Sequence, residues 1–330
     1  MSKTNAAPLV SVVVTCYNYG KYVAEAIESV FAQSYENIEL IVINDGSSDN
    51  SDSEINRMRK KRPFKYISRG HRGVVATRNE AIAKASGQYV MQLDADDTIP
   101  SGYVKKMLRV ATEKNADIVY ADYKMFGDET GRSAFPNYDF DRLKEGNFIN
   151  ISCLIRRAAI RKQRFDEHLS NRTHEDWDFF LGLCAAGCTA IKCQDTVLNY
   201  RIHGNARNNT LGSATSQRQY VEMYCYVIEK YAKRYPEQFD LVKLIGTLFA
   251  DVFGAAYEAQ KQENGELRKQ NNALNTANNQ LRQQNNALGA MNNKLQQENS
   301  ALVGSISWRI TAPLRKASKG YKILKKKAKR

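Results

Sequence analysis

The 330-residue sequence contains no run of about 18 apolar residues, the length that a membrane-spanning helix needs. It also opens without the pattern of a signal peptide. We therefore expect neither an integral membrane protein nor a secreted one. None of the six cysteines stands in a CxxC pair, so their spacing favours reduced core thiols over structural zinc. No Walker-type glycine loop and no GxGxxG follows the first apolar run, which argues against P-loop NTPases and dinucleotide-binding dehydrogenases.

The net charge of +14 is unevenly distributed along the chain. Residues 305–330 contain neither Asp nor Glu, and everything before them is only mildly basic. The basic residues of this tail are Arg309, Arg315, Lys316, Lys319, Lys322, Lys325, Lys326, Lys327, Lys329 and Arg330. A tail of this charge predicts a polyanionic partner, either a membrane surface or a nucleic acid.

Composition divides the chain into regions. Residues 1–215 mix aromatic, β-branched and charged residues as an α/β domain does, and 216–255 read as a helical extension. Residues 256–303 contain no aromatic residue after Tyr257 and consist largely of Asn, Gln, Leu and Ala. The basic tail occupies 304–330.

Strand and helix patterns alternate through the first hundred residues. Apolar runs predict strands over 9–15, 38–43, 64–68 and 89–93, and amphipathic spacing predicts helices over 22–31 and 74–85. This alternation indicates a parallel sheet with right-handed crossovers. Ligands bind at the carboxyl ends of such strands. Those ends carry Thr15 to Asn18, Asp45, and Asp94 to Asp97.

Three carboxylates, Asp94, Asp96 and Asp97, close the fourth strand in the sequence LDADD. Carboxylates this close repel one another unless a cation or hydrogen-bond donors compensate them. Mg²⁺ and Mn²⁺ prefer oxygen ligands and often link protein carboxylates to substrate phosphates. The alternatives are a solvated acidic turn and a helix N-cap. A substrate with phosphates, held by metal and acids, fits an enzyme that uses nucleotide sugars.

Four ordered motifs carry a resemblance to a known family. They are VSVVVTCYNYGKYVAEAIESVFAQSYENIELIVINDGSSDNS, GVVATRNEAIAKASGQYVMQLDADD, HEDWDFFLGL and YRIHG, within residues 8–204. This part of the chain resembles family 2 of the inverting glycosyltransferases. The resemblance implies the GT-A fold, an α/β Rossmann-like domain with a mostly parallel sheet. The rest of the chain is expected to follow it as helices, a long coiled coil and a basic amphipathic helix.

The resemblance also implies a donor site. Thr15 and Tyr17 would flank the nucleobase, and Asp45 would hydrogen-bond to it, although the family usually has a second acid where this chain has Asn44. Arg78 matches a position that contacts the nucleotide; the alternative is an arginine on a helix surface. The nucleotide-sugar-binding set that we predict is Thr15, Tyr17, Asn18, Asp45, Arg78, Asp94, Asp96, Arg201 and Arg207.

The same resemblance assigns the catalytic acids. Asp176 matches the base that takes the proton of the acceptor hydroxyl, and Glu175 is expected to contact the acceptor or to orient the base. Acids at the start of a helix are also favourable on electrostatic grounds alone. A divalent ion, Mn²⁺ or Mg²⁺, is expected on Asp96, Asp97 and His203, and the direct ligand among the three aspartates stays open. For His203 the alternatives are a contact to the diphosphate and a purely structural role. Arg201 and Arg207 would neutralise the leaving diphosphate.

A leucine recurs every seven residues after residue 266. When these leucines are placed at heptad position d, an asparagine occupies each position a between them. The leucines are Leu267, Leu274, Leu281, Leu288, Leu295 and Leu302, and the asparagines are Asn271, Asn278, Asn285, Asn292 and Asn299. This repeat predicts a left-handed coiled coil, and asparagine at a favours the parallel dimer, although a trimer stays possible. The alternative is a disordered Asn/Gln-rich linker.

The tail reads as a basic amphipathic helix whose Trp308 and Tyr321 suit the headgroup level of a membrane. Its SWRITAPLR stretch resembles the C-terminal tails of bacterial surface-polysaccharide glycosyltransferases. We find no nucleic-acid-binding motif and expect an anionic membrane surface as the partner of 305–330.

The sequence therefore predicts a metal-dependent inverting glycosyltransferase on the inner face of the cell membrane. It would transfer a sugar from a nucleoside diphosphate, with a UDP-sugar favoured, to a glycan or lipid-linked glycan acceptor in surface-polysaccharide assembly. Two alternatives stay open. The first is an inactive coiled-coil scaffold, and the second is a sugar nucleotidyltransferase.

Overall fold

The computed structural model describes residues 7–170, 172–204 and 214–327, and the side chains at 214–217, 251–253, 255–259 and most positions from 305 onward lie outside that description. The chain divides into two units, Met1–Phe253 and Gly254–Arg330. The finer division predicted from composition stays a prediction.

The first unit is built on one sheet, which has eight strands within the described residues. Its strands are β1 (Val10–Cys16), β2 (Ile38–Asn44), β3 (Lys65–Ser68), β4 (Tyr89–Asp94), β5 (Ile118–Gly127), β6 (Gly131–Ser133), β7 (Leu154–Arg156) and β8 (Ala190–Ile202). Their order is β3-β2-β1-β4-β7-β5-β6, with β8 also paired to β5. The pairs among β1 to β4 and the β5–β8 pair are parallel, whereas β7 and β6 run antiparallel to their neighbours. The predicted mostly parallel α/β sheet is confirmed.

Helices connect the strands and continue beyond them. They are α1 (Val23–Phe31), α2 (Ser51–Lys61), α3 (Val74–Lys84), α4 (Tyr103–Glu113), α5 (Phe140–Glu145), α6 (Arg157–Ile160), α7 (Glu175–Ala185), α8 (Ala214–Arg234) and α9 (Leu241–Lys327). Short 3₁₀ turns occur at Glu167–Leu169 and Pro236–Gln238.

Burial explains why the first strands form. Every residue of β1 is buried, as its continuous apolar run predicts for a central parallel strand covered on both faces. In α1, residues at 3-4 spacing (Val23, Ala26, Ile27 and Val30) are buried against the sheet. The cysteines are free thiols, and five of them are buried as predicted, whereas Cys225 on α8 is exposed.

The strand register sets the place of the site. Thr15 on β1 lies beside Asp94 on β4, and Cys16 lies beside Asn44 on β2. Parallel strands in this register end at the same edge of the sheet, so the polar residues that follow them share one surface.

The predicted coiled-coil region is helical, as part of α9. A disordered linker is therefore not what the structure shows over residues 256–303. The six heptad leucines are between 49% and 63% exposed along this helix. The helix continues into the tail as far as Lys327, but the side chains on which the amphipathic prediction depends lie mostly outside the described residues. Of the helices in the described ranges, none has the length and hydropathy that crossing a bilayer requires.

Candidate active site

The ends of β1 and β4 are joined by a side-chain hydrogen bond at the predicted edge. The Thr15 hydroxyl donates to Asp94 Oδ1 over 3.2 Å. Thr15 is buried, whereas the Asp94 side chain is 32% exposed. The Asp94 carboxylate is therefore held by Thr15 on one side and is open to solvent on the other.

Asp45 directly follows β2, and its side chain organises the loop between β3 and α3. Its carboxylate accepts hydrogen bonds from the backbone amides of Arg72 and Gly73, each over 2.9 Å, and pairs with the Arg69 guanidinium. Asp45 is only 2% exposed. Gly46 follows in a left-handed conformation (φ 75°), and a Cβ there would lie 2.5 Å from the His71 amide nitrogen. The loop thus packs against the turn more closely than a side chain would allow.

An aromatic face stands beside this turn. Tyr17 is 43% exposed, and its ring stacks on His71 with centroids 4.0 Å apart and an interplanar angle of 25°. Asn18, with φ 59°, accepts a hydrogen bond from the Ser48 amide over 2.8 Å and joins the ends of β1 and β2. An exposed, fixed aromatic ring beside a polar loop is suited to stacking on a nucleobase.

Arg78 projects from α3 into the space between the strand ends and α7. Its guanidinium donates to Glu175 Oε1 over 3.0 Å and to Asp94 Oδ2 over 3.3 Å. Burial alone would lower the pKa of Arg78, but the charges of Asp94 and Glu175 outweigh it and raise the pKa, so the cation is secured. Arg78 is 6% exposed, which excludes the alternative of a helix-surface arginine.

The acid pair lies at the start of α7, as predicted. Glu175 is buried at 5% exposure, and its ion pair with Arg78 supports an orienting role. Asp176 is half-buried and accepts a hydrogen bond from the Asn147 side-chain amide over 3.0 Å. His174, which precedes the pair, has φ 72°. This left-handed residue turns the chain sharply into the helix and presents Glu175 and Asp176 at its first turn.

The turn after β4 divides its acids between two surroundings. Asp96 Oδ2 lies 3.1 Å from Nε2 of His203, and both side chains are largely buried. Asp97 is 3% exposed and accepts a hydrogen bond from the Arg201 backbone amide over 2.9 Å. Burial, and then the charge of Asp94, raises the pKa of Asp96; burial, and then the charge of Asp96, raises that of Asp97. The turn is therefore not a solvated acidic loop, and its burial and crowding disfavour the ionised form of these two acids, an effect that a bound cation would offset.

The donor set of this turn suits a cation that substrate phosphates help to hold. Asp96 and His203 offer a carboxylate and an imidazole at adjacent positions, and Asp94 opens to the same edge. Within the described ranges, no three His, Cys, Asp or Glu side chains converge as an all-protein metal cluster would require. The predicted trio of Asp96, Asp97 and His203 is thus not gathered as a three-ligand set. The nearby ligands, Asp96 and His203, match an ion such as Mg²⁺, which takes few ligands from the protein and binds substrate phosphates as well.

Arg201, predicted as a diphosphate contact, is engaged within the fold. It pairs with Glu25 and donates from Nε to the Asp96 carbonyl over 2.8 Å. Its guanidinium carbon lies 4.7 Å from the ring centre of Tyr22 and 4.2 Å from that of Phe126. The structure therefore gives Arg201 a part in fixing the acidic turn. Arg207 lies outside the described residues.

Three residues lie in the site although no sequence pattern indicates them. His71 lies against Tyr17 and Asp45, although nothing in the sequence distinguished it from other histidines. Arg69 pairs with Asp45, and Asn147 contacts Asp176 from a segment without a recognised motif. Arg69 could have been predicted from its position, because it directly follows β3 at the edge where the other strands end.

Comparison with known proteins places these features in a family. The sequence profile described as Glycosyl transferase family 2 matches residues 11–170. A Haemophilus influenzae protein named as an uncharacterized glycosyltransferase is 34% identical over 182 residues, which cover 53% of this chain and 71% of that protein. The Streptococcus pneumoniae glycosyltransferase GlyG is 34% identical over 131 residues, which cover 38% of this chain and 43% of that protein.

Solved structures share the fold at low sequence identity. The Staphylococcus aureus protein TarS, residues 1–349 in complex with UDP-GlcNAc, superposes with a TM-score of 0.57 at 19% identity, covering 67% of this chain and 66% of that one. The mannosyltransferase PcManGT from Pyrobaculum calidifontis, in complex with GDP-Man and Mn²⁺, gives a TM-score of 0.53 at 16% identity, covering 77% and 76%. The chain thus spans about two thirds of the TarS fragment.

Proposed function

Because the chain belongs to glycosyl transferase family 2, we propose that it transfers a sugar from a nucleoside diphosphate to a hydroxyl of a glycan, with inversion at the anomeric carbon. The donor that we favour is a UDP-sugar, in keeping with the UDP-GlcNAc bound by TarS.

One observation carries the proposal: Arg78 joins the donor edge to the acid pair. Asp94 ends a strand of the nucleotide-binding edge, Glu175 begins α7, and both contact the same buried guanidinium. A sugar held at this edge by its diphosphate therefore lies next to the first turn of α7. This is the arrangement that a direct displacement needs, since the donor and the general base must face the same anomeric carbon.

Asp176 is the base in this account. It is half-buried, and its Oδ2 is held by Asn147, so its position is fixed before an acceptor arrives. It takes the proton of the acceptor hydroxyl as that oxygen attacks the anomeric carbon and the bond to the diphosphate breaks. Glu175 stays on Arg78 and orients the turn. On the donor side, Tyr17 stacks on the nucleobase of the donor, and Asp45 fixes the loop beside that nucleobase.

A divalent ion is part of the proposal, and Asp96 and His203 are the residues that would hold it. Once bound, Mn²⁺ or Mg²⁺ supplies positive charge that stabilises the departing diphosphate. The complex of PcManGT with Mn²⁺ shows that a protein of this fold binds such an ion with its donor.

The setting of the reaction is proposed from the remaining regions. The tail, with its many basic residues and no acidic ones, would hold the protein at the cytoplasmic face of the membrane, where a lipid-linked glycan of a surface polysaccharide could serve as acceptor. The exposed leucine row of α9 would pair with the same row of a second copy as a parallel dimer.

Release of nucleoside diphosphate tests the proposal directly. Full-length protein would be incubated with UDP-, GDP- and dTDP-sugars, each with Mn²⁺, with Mg²⁺ or with EDTA. We expect release from one nucleotide class, supported by the metals and abolished by EDTA. Release of pyrophosphate would identify a nucleotidyltransferase instead. Silence across the panel, with and without a pooled membrane-lipid extract as acceptor, would favour the inactive scaffold.

A further inference from the structure

Helix α8 packs on the first two turns of α7, outside the residues that the family profile matches. At the centre of this contact, Lys230 Nζ lies 2.8 Å from Oδ1 and 2.9 Å from Oδ2 of Asp178. The same ammonium donates to Asp166 Oδ2 over 2.8 Å. The Asp178 side chain is completely buried, and it lies two residues after the proposed base Asp176.

A further bond ties the same two helices together: the Tyr231 hydroxyl donates to the carbonyl of Asp178 over 2.8 Å. Tyr226 on α8 donates to Asp166 Oδ2 over 2.8 Å, which holds the loop before α7 to the same helix. The Trp177 ring stacks on Tyr224 with centroids 4.8 Å apart. The first turn of α7 is thus fixed from the α8 side through backbone, side chain and ring contacts.

The charge of Lys230 is secured by its surroundings. Burial would lower the pKa of Lys230, but the neighbouring Asp178 and Asp166 outweigh burial and raise it. A carboxylate as buried as Asp178 needs such a cation, because a desolvated and uncompensated charge is strongly unfavourable. Removing the ammonium would therefore leave Asp178 either to take up a proton or to turn away, and in both cases the ion pair would no longer hold the first turn of α7 to α8.

We infer that Lys230 is a positioning residue for catalysis: through Asp178 it fixes the first turn of α7 and so the direction of Asp176 toward the acceptor. This inference rests on the proposed function, which supplies the role of Asp176. It assigns to α8 a part in the acceptor half of the reaction. Thr15, Asp45 and Asp94 on the donor edge have no contact with Lys230 among the described interactions.

If Lys230 positions Asp176, its loss should lower kcat and leave the KM for the donor unchanged. In Lys230→Met, kcat for sugar transfer should fall about 10- to 100-fold, the loss expected for a misplaced catalytic group. The KM for the donor should stay within about twofold of the wild-type value, because the donor edge is not disturbed. Lys230→Arg, which keeps a cation between the two acids, should recover most of kcat. Lys233→Met, which removes an exposed ion pair to Glu229 on the same helix, should leave both constants unchanged.

A double variant separates positioning from stability. Lys230→Met combined with Asp178→Leu replaces the buried ion pair by apolar side chains, an exchange that often leaves stability unchanged. We expect this variant to unfold in urea like the wild type and yet to keep a low kcat. Recovery of both stability and kcat would show that the pair only stabilises the fold, and would overturn the inference.

Hydrogen exchange of the full-length chain provides a readout that does not need turnover. In Lys230→Met, amides of residues 174–180 should exchange faster than in Lys233→Met, whereas those of β1 and β4 should not change. If the donor panel shows no activity, this comparison still tests the placement of α7, so failure of the proposed function and failure of the inference are distinguishable. Unchanged exchange in 174–180, or an unchanged kcat in Lys230→Met, would contradict the role of Lys230.

Discussion

Among single residues, Arg78 joins the two halves of the candidate active site. It holds Asp94 from β4 and Glu175 from α7, which lie far apart in sequence, around one buried guanidinium. The pair with Glu175 is almost completely desolvated, with both side chains 7% exposed. Such a pair contributes little when it is compared with apolar residues, but breaking it leaves a buried carboxylate without its cation.

Arg78→Met should therefore lower the free energy of unfolding by about 3 kcal/mol. The measurement is urea unfolding at neutral pH. Arg57→Met is the matched control, because Arg57 forms an ion pair with Glu54 in which the arginine is 48% exposed; its loss should cost less than about 1 kcal/mol. Equal losses in the two variants would mean that Glu175 does not depend on Arg78 for compensation.

The burial of Arg78 also shows a limit of sequence reasoning. The match to a family motif indicated a nucleotide contact, yet it left a helix-surface arginine open, because residue type alone does not reveal burial. The same holds for His71 and Asn147, which reach the site from loops whose course is set by tertiary packing.

At the scale of elements, α7 presents the acid pair through an unusual start. His174 precedes the helix in a left-handed conformation and packs against Trp177, Tyr220 and Tyr224. Burial lowers the pKa of His174 to about 4. Its imidazole is therefore neutral in the folded protein, while the unfolded chain takes up a proton near pH 6.5.

This difference gives a pH dependence with a defined sign. Between about pH 6.5 and about pH 4 the unfolded chain binds the additional proton, so stability falls as the pH falls, by about 3 kcal/mol in all. His174→Asn, a residue that tolerates the left-handed conformation, should lose this component. Urea unfolding of both proteins from neutral pH to about pH 4 measures the difference. Parallel curves for the two proteins would show that His174 is not held neutral.

The elements differ in how far the sequence predicts them. β1, β2, β4, α1 and α3 follow from apolar runs and helical spacing, and the structure has them within a residue or two of the predicted bounds. β7 has three residues, too few to show a period, and it enters the sheet antiparallel between β4 and β5. The contact of α8 with α7 was equally hidden, because a lysine on an amphipathic helix ordinarily indicates its solvent face.

At the scale of the whole molecule, the heptad leucines of α9 predict self-association. Leu281→Lys places a charge on the leucine row and should raise the dissociation constant of the dimer about 100-fold or more, since two buried leucines are lost per dimer. Gln283→Lys adds the same charge at an outward heptad position and should leave it unchanged. Analytical ultracentrifugation over a concentration series compares them. Identical behaviour of both variants and the wild type would exclude a coiled coil through this row.

The basic tail predicts binding to anionic bilayers. Full-length protein should co-sediment with vesicles that contain phosphatidylglycerol and not with phosphatidylcholine vesicles, and added salt should weaken the binding. A chain that ends at residue 303 should stay in the supernatant. Binding that persists without 304–330 would assign the membrane contact to another part of the molecule.

If Asp176 is the base of sugar transfer, removal of its carboxylate must slow the transfer step itself. Nucleoside diphosphate release in the presence of acceptor would be compared for the wild type, Asp176→Asn and Asp195→Asn, the last removing a carboxylate that is 56% exposed and pairs with Arg109. We predict that Asp176→Asn lowers kcat by about 100- to 10,000-fold, with the donor KM unchanged, and that Asp195→Asn behaves as the wild type. Unchanged transfer by Asp176→Asn would mean that Asp176 is not the base.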